Sequence, residues 1–241
     1  MIKQLRSSAG LWVSYEGANL LIDPGPGCIV RCNLSRPKMD PGKLDGILLT
    51  HRHLDHSNDI NVMIEAMTDG GFKKRGVVFL PKDAIVKDPV ILKHLRNAAE
   101  DIVILKANKK YRLKAIEFQA PCRQEHSVET YGLRFNFPGC DVAKKVSLIS
   151  DTRYFEGLKS LYKADVIILN VVFYDERPEI EHLSLSGARK LISEIKPKAA
   201  VITHFGMSML KNKPAMIAKS LSEELGIRVI AAYDGMKFDL N

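Results

Sequence analysis

The sequence predicts an α/β protein, sheets layered with helices on the outside, on three observations. Short apolar runs bounded by turn residues dominate the first part of the 241-residue chain. Strand-like and helix-like runs alternate through the second part. Apolar residues make up 46% of the whole, enough to bury a sizeable core. No internal repeat or low-complexity tract divides the chain, so a single domain over residues 1–241 is expected.

Taken in order, WVSY (12–15) and NLLID (19–23) read as strands joined at Glu16-Gly17. Residues 24–43, rich in Pro and Gly, read as a long loop, and GILLT (46–50) as a buried strand. Ser57, Asn58 and Asp59 offer helix-start chemistry; Ile60, Met63, Ile64 and Met67 follow at helical spacing and Gly70-Gly71 ends that helix. VVFL (77–80) predicts a strand and residues 89–99 a helix. YRLKAIEF (111–118), YGLRFNF (131–137), VSLIS (146–150) and DVIILNVVF (165–173) predict strands. SLSGARKLISEI (184–195) predicts a helix, AAVITH (199–204) a strand and 214–225 a helix, with RVIAA (228–232) and MKFDL (236–240) as closing strands.

Several classes are excluded by composition. The first ten residues lack an apolar signal-peptide core, and the longest apolar stretch, VIILNVVFY (166–174), is too short to span a bilayer and contains Asn170. A cytoplasmic protein with no membrane partner is the expectation. Four cysteines, Cys28, Cys32, Cys122 and Cys140, are too few for a disulfide scaffold. CIVRC (28–32) spaces two of them as half a zinc site, but no matching pair exists, and free thiols fit better. The net charge of +8 is concentrated: residues 71–114 hold twelve Lys or Arg and four acids, a difference of eight. That segment reads either as a surface attracting phosphate or nucleic acid or as a solvated lysine-rich face. Its few aromatics, Phe72, Phe79 and Tyr111, argue against a platform for stacking single strands.

LLTHRHLDHSND (48–59) carries three of the seven histidines in six consecutive residues. His51 and His53, two apart in extended backbone, point the same way and suit one metal. Asp55 and His56 are adjacent and stand at the entrance to the next helix, turned toward different space. Two metals are the simplest arrangement, and imidazole with carboxylate suits zinc, manganese or iron. Such a centre needs further ligands, and element ends supply candidates: His126 in PCRQEHS, Asp151 after VSLIS, His182 in EHLS and His204 after AVIT. His94, amid basic residues in LKHLR, reads as an ordinary surface residue.

THRHLDH resembles the HxHxDH signature of the metallo-β-lactamase superfamily. The likeness runs from NLLIDPGPG to VIAAYDGMKFDL, nearly the whole chain. It implies a four-layer αββα sandwich with a dinuclear metal site at one edge of two sheets. It makes His51, His53 and His126 ligands of one metal, gives Asp55, His56 and His204 to the other, and makes Asp151 the bridge. Asp23 matches an acid that supports the site from outside the metals. The order SDT (150–152), NVVF (170–173), EHLS (181–184) and THFG (203–206) is similar to the ribonuclease Z and phosphodiesterase branch. There, the residue at the place of His182 contacts the scissile phosphate and can act as proton donor. Ser150 departs from the branch's usual Gly. Only 24 residues separate His126 from Asp151, which leaves no room for the long tRNA-gripping arm of ribonuclease Z.

The expected function is therefore a dinuclear metal-dependent hydrolase. Its two divalent ions, zinc first and manganese or iron next, would carry a bridging hydroxide onto a phosphodiester or nucleotide-type substrate. Asp55 would orient that nucleophile and His182 would stabilise or protonate the leaving oxygen. The partner expected is an anionic small molecule or nucleotide, with nucleic acid a further candidate, and the resemblance allows a homodimer. The same water cleaves thioesters, lactones and β-lactams on this fold. Di-iron redox chemistry and a metal-stabilised nucleic-acid-binding module are the remaining alternatives.

Overall fold

A computed structural model describes residues 5–8, 10–141 and 143–240. The chain folds as two compact units, one running to residue 106 and taking in 111–116, the other comprising 107–110 and all residues from 117. Among the described residues no helix is long and apolar enough to cross a membrane.

The first unit is built on a five-stranded sheet in sequential order: β1 (Leu11–Tyr15), β2 (Ala18–Ile22), β3 (Gly46–Leu48), β4 (Val77–Leu80) and β5 (Asp101–Ile104). β1 and β2 form an antiparallel hairpin, and the remaining pairs are parallel. The hairpin turns where the sequence predicts: Glu16 (φ 45°) and Gly17 (φ 77°) are both left-handed, the twist a two-residue connection requires. α3 (Ile60–Met67) follows α1 (Cys28–Leu34) and the single turn α2 (Leu54–Ser57). α3 buries Ile60, Met63, Ile64 and Met67 in one core with Leu21, Ile47, Leu49, Val78 and Leu80.

The segment 24–43 departs from the expected loop, because α1 lies inside it. That helix buries only Cys32, so it leaves no apolar periodicity to read, and it is held by a tertiary bond from the Ile29 amide to the Asp59 carboxylate (3.2 Å). Asp59 commits its side chain there and makes no cap on α3. Over 89–99 only a 3-10 stretch, Lys93–Asn97, forms. The Asn61 side chain takes the backbone bonds that a helix would use, donating to the Val90 carbonyl (2.9 Å) and accepting from the Leu92 amide (3.0 Å). β5, half exposed at a sheet edge, is an additional strand.

A seven-stranded sheet follows, ordered β12-β11-β10-β9-β8-β7-β6. Its strands are β6 (Lys109–Leu113), β7 (Ile116–Ala120), β8 (Leu133–Asn136), β9 (Lys145–Ile149), β10 (Val166–Asn170), β11 (Ala199–Thr203) and β12 (Arg228–Ala231). β7, β8 and β9 pair antiparallel, whereas β9 to β12 run parallel. The run 111–118 is thus two strands. It breaks at Lys114, a non-glycine in left-handed conformation (φ 51°) with no Gly or Pro to announce the turn. Nor is 236–240 a strand: the Met236 amide folds back onto the Tyr233 carbonyl (2.9 Å) around Gly235 (φ 78°).

The helices of the second unit are α4 (Leu158–Leu161), α5 (Leu185–Ile195), α6 (Met207–Lys211) and α7 (Pro214–Leu225). Ser184 caps α5 by accepting from the Gly187 amide (3.3 Å). α7 starts with Pro214 in its first turn and stops at left-handed Gly226. Ala188, Leu191 and Ile192 of α5 and Ala218 and Leu221 of α7 share a core with Ile167, Leu169, Ala200 and Ile202. In both units the parallel strands deliver chemistry-bearing residues just past their C-terminal ends: Asp23 after β2, Thr50 and His51 after β3, Asp151 after β9, His204 after β11.

Ile192 is fully buried in that core. Ile192→Ala should cost about 2–5 kcal/mol in urea denaturation, with the cooperative transition retained.

Candidate metal centre

In the first unit the site is organised by a carboxylate. Asp23 is 5% exposed, and its left-handed backbone (φ 51°) is anchored by its amide to the Leu48 carbonyl (2.8 Å). Its Oδ1 accepts the Thr50 amide and its Oδ2 the Thr50 hydroxyl, both at 2.7 Å. The same Oδ2 lies 2.9 Å from His56 Nδ1. Since the Thr50 hydroxyl donates to Asp23, its oxygen is left to accept from His51 Nδ1 at 3.1 Å. One carboxylate therefore fixes two imidazoles, His56 directly and His51 through a hydroxyl. Each then carries its proton on Nδ1 and presents the Nε2 lone pair.

The other residues of the signature gather around these two. The His51 ring lies 4.8 Å from that of His53 and 4.0 Å from that of His56, centroid to centroid. His51 and His56 are buried; Asp55, at the first turn of α2, keeps 26% of its side chain exposed and stands 4.0 Å from His56 Nε2. Gly25 is required by a close approach: a Cβ there would meet the Asp55 carbonyl oxygen at 2.0 Å.

In the second unit Asp151 is the centre. It is 2% exposed, and its Oδ1 accepts from the Asn170 side-chain amide at 2.7 Å. Its Oδ2 lies 3.6 Å from His182 Nδ1 and 3.9 Å from His204 Nε2. His126 sets its Nδ1 against the Glu181 carbonyl at 2.9 Å, so Nδ1–H donates to that carbonyl. Ligand atoms of His126, Asp151 and His182 all lie within 4.8 Å of one another. The chain past His204 (φ 59°) again depends on glycine: a Cβ at Gly206 would stand 2.5 Å from the Val172 carbonyl oxygen.

This donor set fits a divalent transition metal. Imidazoles of His51, His56 and His126 each have the second ring nitrogen tied to a hydroxyl, a carboxylate or a carbonyl, the support that ligating histidines need. The His/Asp cluster can hold metal. His51, His53, Asp55 and His56 lie together in the first unit; His126, Asp151, His182 and His204 lie together in the second; His94 is exposed on a 3-10 turn. Asn170 is the residue that sequence reasoning missed. Its signal was a lone amide in a buried strand, which needs a polar partner.

Elsewhere, the cysteines are free thiols. Cys28 and Cys32 hydrogen-bond each other on α1, which holds Cys28 protonated to higher pH and lowers Cys32. Part of the basic segment is paired within the chain. Lys73 pairs with Asp69 and Lys114 with Asp45, while Arg75, Arg96 and Arg112 donate to backbone carbonyls. At least five of the twelve cations thus have partners within the chain.

The family model "Beta-lactamase superfamily domain" matches residues 18–205. The uncharacterized protein MJ1374 of Methanocaldococcus jannaschii is 28% identical over 247 aligned residues, covering 99% of this chain and 90% of that protein. Ribonuclease Z of Borreliella burgdorferi is 21% identical, covering 98% of this chain and 92% of its own. That alignment runs over 299 positions against 241 residues here, so the relative carries insertions this chain lacks. Among solved structures, the metallo-β-lactamase fold protein YhfI of Bacillus subtilis superposes with a TM-score of 0.79 at 18% identity, over 95% of this chain and 90% of that one.

Asp23→Ala would strand three buried donors. At about 1–3 kcal/mol for each unsatisfied group, the metal-free protein should lose several kcal/mol in chemical denaturation, and Thr50→Val a smaller part of it. Gly25→Ala should lower metal content at equal protein concentration, measured by elemental analysis, because the backbone bearing Asp55 must move away from residue 25.

Proposed function

The chain belongs to the β-lactamase superfamily and has the metallo-β-lactamase fold, and from that premise we propose that it is a metal-dependent phosphodiesterase. In this reading His51, His53 and His126 would hold one divalent ion, Asp55, His56 and His204 would hold a second, and Asp151 would serve both. Zinc suits the imidazole-rich set best, and manganese or iron suits it also. Bound ions of this kind lower the pKa of a bound water toward neutrality and neutralise charge on phosphoryl oxygens.

The observation that carries the phosphodiester reading is His182. It stands beside Asp151 Oδ2 (3.6 Å) and edge-on to His126 (ring centroids 4.9 Å), yet it is not needed to complete either ligand set. Phe173 also stands beside it, the rings 6.0 Å apart and nearly perpendicular. An imidazole held this way can give a proton to a departing alkoxide oxygen. Asp55, the most exposed acid of the set, would orient the attacking water. The relationship to ribonuclease Z supports phosphodiester chemistry.

A small anionic or nucleotide substrate is favoured over tRNA. The 24 residues between His126 and Asp151 are taken up by β8, β9 and their connections, with no arm. The segment before His182 also opposes an extended polyanion, with Asp175, Glu176, Glu179 and Glu181 set against Arg177 alone.

Protein reconstituted with zinc or manganese should hydrolyse bis-p-nitrophenyl phosphate and lose that activity to a chelator. His182→Ala should lower turnover of a dinucleotide, whose alkoxide needs a proton, by about 10²–10⁴-fold. It should spare p-nitrophenyl esters, whose leaving group needs little help, and leave metal content unchanged. Equal loss on both substrates would remove His182 from leaving-group protonation. Thioester turnover without phosphodiester cleavage would assign the centre to carbonyl hydrolysis.

A further inference from the structure

Three loops of the second unit meet at one guanidinium. Arg153 lies two residues beyond Asp151, and its amide donates to the Glu125 carbonyl at 3.1 Å. Its Nη2 donates to Glu181 Oε1 at 2.7 Å, and its Nε stands 3.8 Å from Glu125 Oε2. Glu125 is the residue before His126, and Glu181 is the residue before His182. A further bond closes the bracket: the Glu125 amide donates to the Thr152 hydroxyl at 3.1 Å. Glu181 then serves twice, its carboxylate held by Arg153 while its carbonyl accepts His126 Nδ1 at 2.9 Å.

We propose that Arg153 is a positioning residue that, by clamping Glu181, sets the ring orientation of His126 and the place of His182 relative to Asp151. This rests on the metal-dependent reading above for its consequence in catalysis, but not for the geometry it governs. An ordinary surface ion pair would explain the contact less well. The Arg153 side chain is 43% exposed and that of Glu181 30%, so the pair adds little to stability. Its position matters more than its strength. Arginine offers a fork that can engage two carboxylates at once, whereas lysine offers a point charge that can satisfy Glu181 alone. The Nε–H is buried and makes no hydrogen bond, the Glu125 carboxylate standing just beyond bonding distance, so the fork is only half used in this state.

The test begins with metal-free protein. Proton–nitrogen NMR of the His126 side chain reads solvent exchange of Nδ1–H. Arg153→Ala and Glu181→Gln should each speed that exchange several-fold, Arg153→Lys should fall between them and the parent, and the double variant should be no worse than either single one. All should melt within a few degrees of the parent. With metal restored, chelator competition should show binding weakened by about tenfold in Arg153→Ala, the usual effect of losing a support to a ligating histidine. Unchanged His126 exchange in Arg153→Ala overturns the proposal, as do effects of Arg153→Ala and Glu181→Gln that simply add. If Arg153→Ala fails to fold, exchange in Arg153→Lys and Glu181→Gln decides the matter: faster than the parent supports the clamp, and unchanged overturns it. A parent protein that binds no metal would overturn the reading of the centre, while the exchange measurement would still decide the role of Arg153.

Discussion

A buried carboxylate must be compensated by hydrogen bonds, and Asp23 is supplied with three donors. The Thr50 amide and hydroxyl and the His56 ring meet its two oxygens at 2.7, 2.7 and 2.9 Å. A carboxylate taken out of water without such partners costs several kcal/mol, so the donors have little freedom to leave. They come from just past the end of β3 and from α2, and Asp23 itself directly follows β2, so satisfying one charge aligns three segments of the first unit. The left-handed backbone at Asp23, tolerable for an Asx residue, is the strain accepted to aim the side chain.

The second unit solves the same problem with a different balance, and the difference tells the two buried aspartates apart. Asp23 has Oδ1 bonded once and Oδ2 twice, so little lone-pair capacity remains. Asp151 accepts one neutral amide, from Asn170 on Oδ1, and turns Oδ2 toward two imidazoles at 3.6 and 3.9 Å. The carboxylate saturated by donors suits a support; the one turned toward two imidazoles suits a ligand. Orientation of His126 is handled by a backbone carbonyl rather than an acid, which steers the ring without adding charge beside Asp151.

What the sequence made legible follows from whether a feature is local. The cluster at 51–56 was readable as a candidate because its residues are close in the chain, and Asp151 and His204 because each follows an apolar strand. Asn170 was visible only as an interruption in an apolar run, since its meaning depends on a partner nineteen residues earlier. The Arg153–Glu181 pair, 28 residues apart and half exposed, gave no pattern at all. Among the elements, the long helices and the buried parallel strands fell where periodicity placed them. The misreadings were α1, which buries one residue, the turn at Lys114, which has no Gly or Pro, 89–99, where the Asn61 side chain captures the backbone, the unforeseen edge strand β5, and 236–240, which follows a turn at Gly235 instead of forming a strand. For α1 and 89–99 a tertiary or side-chain contact, from Asp59 and from Asn61, outweighed local propensity.

The glycines extend the argument from orientation to distance. Hydrogen bonds fix how an imidazole faces, but they do not bring one backbone against another. At Gly25 the chain leaving Asp23 lies so close to the Asp55 carbonyl that even a methyl group would overlap it, and at Gly206 the chain leaving His204 presses on the Val172 carbonyl in the same way. Each contact lies two residues past an acid or imidazole of the site and joins that loop to a neighbouring segment. Rigid strands bring the residues to the sheet ends, buried polar bonds set their rotation, and glycine lets the backbones carrying them close to van der Waals distance. A ligand shell tolerates errors of a few tenths of an ångström, so all three are needed together.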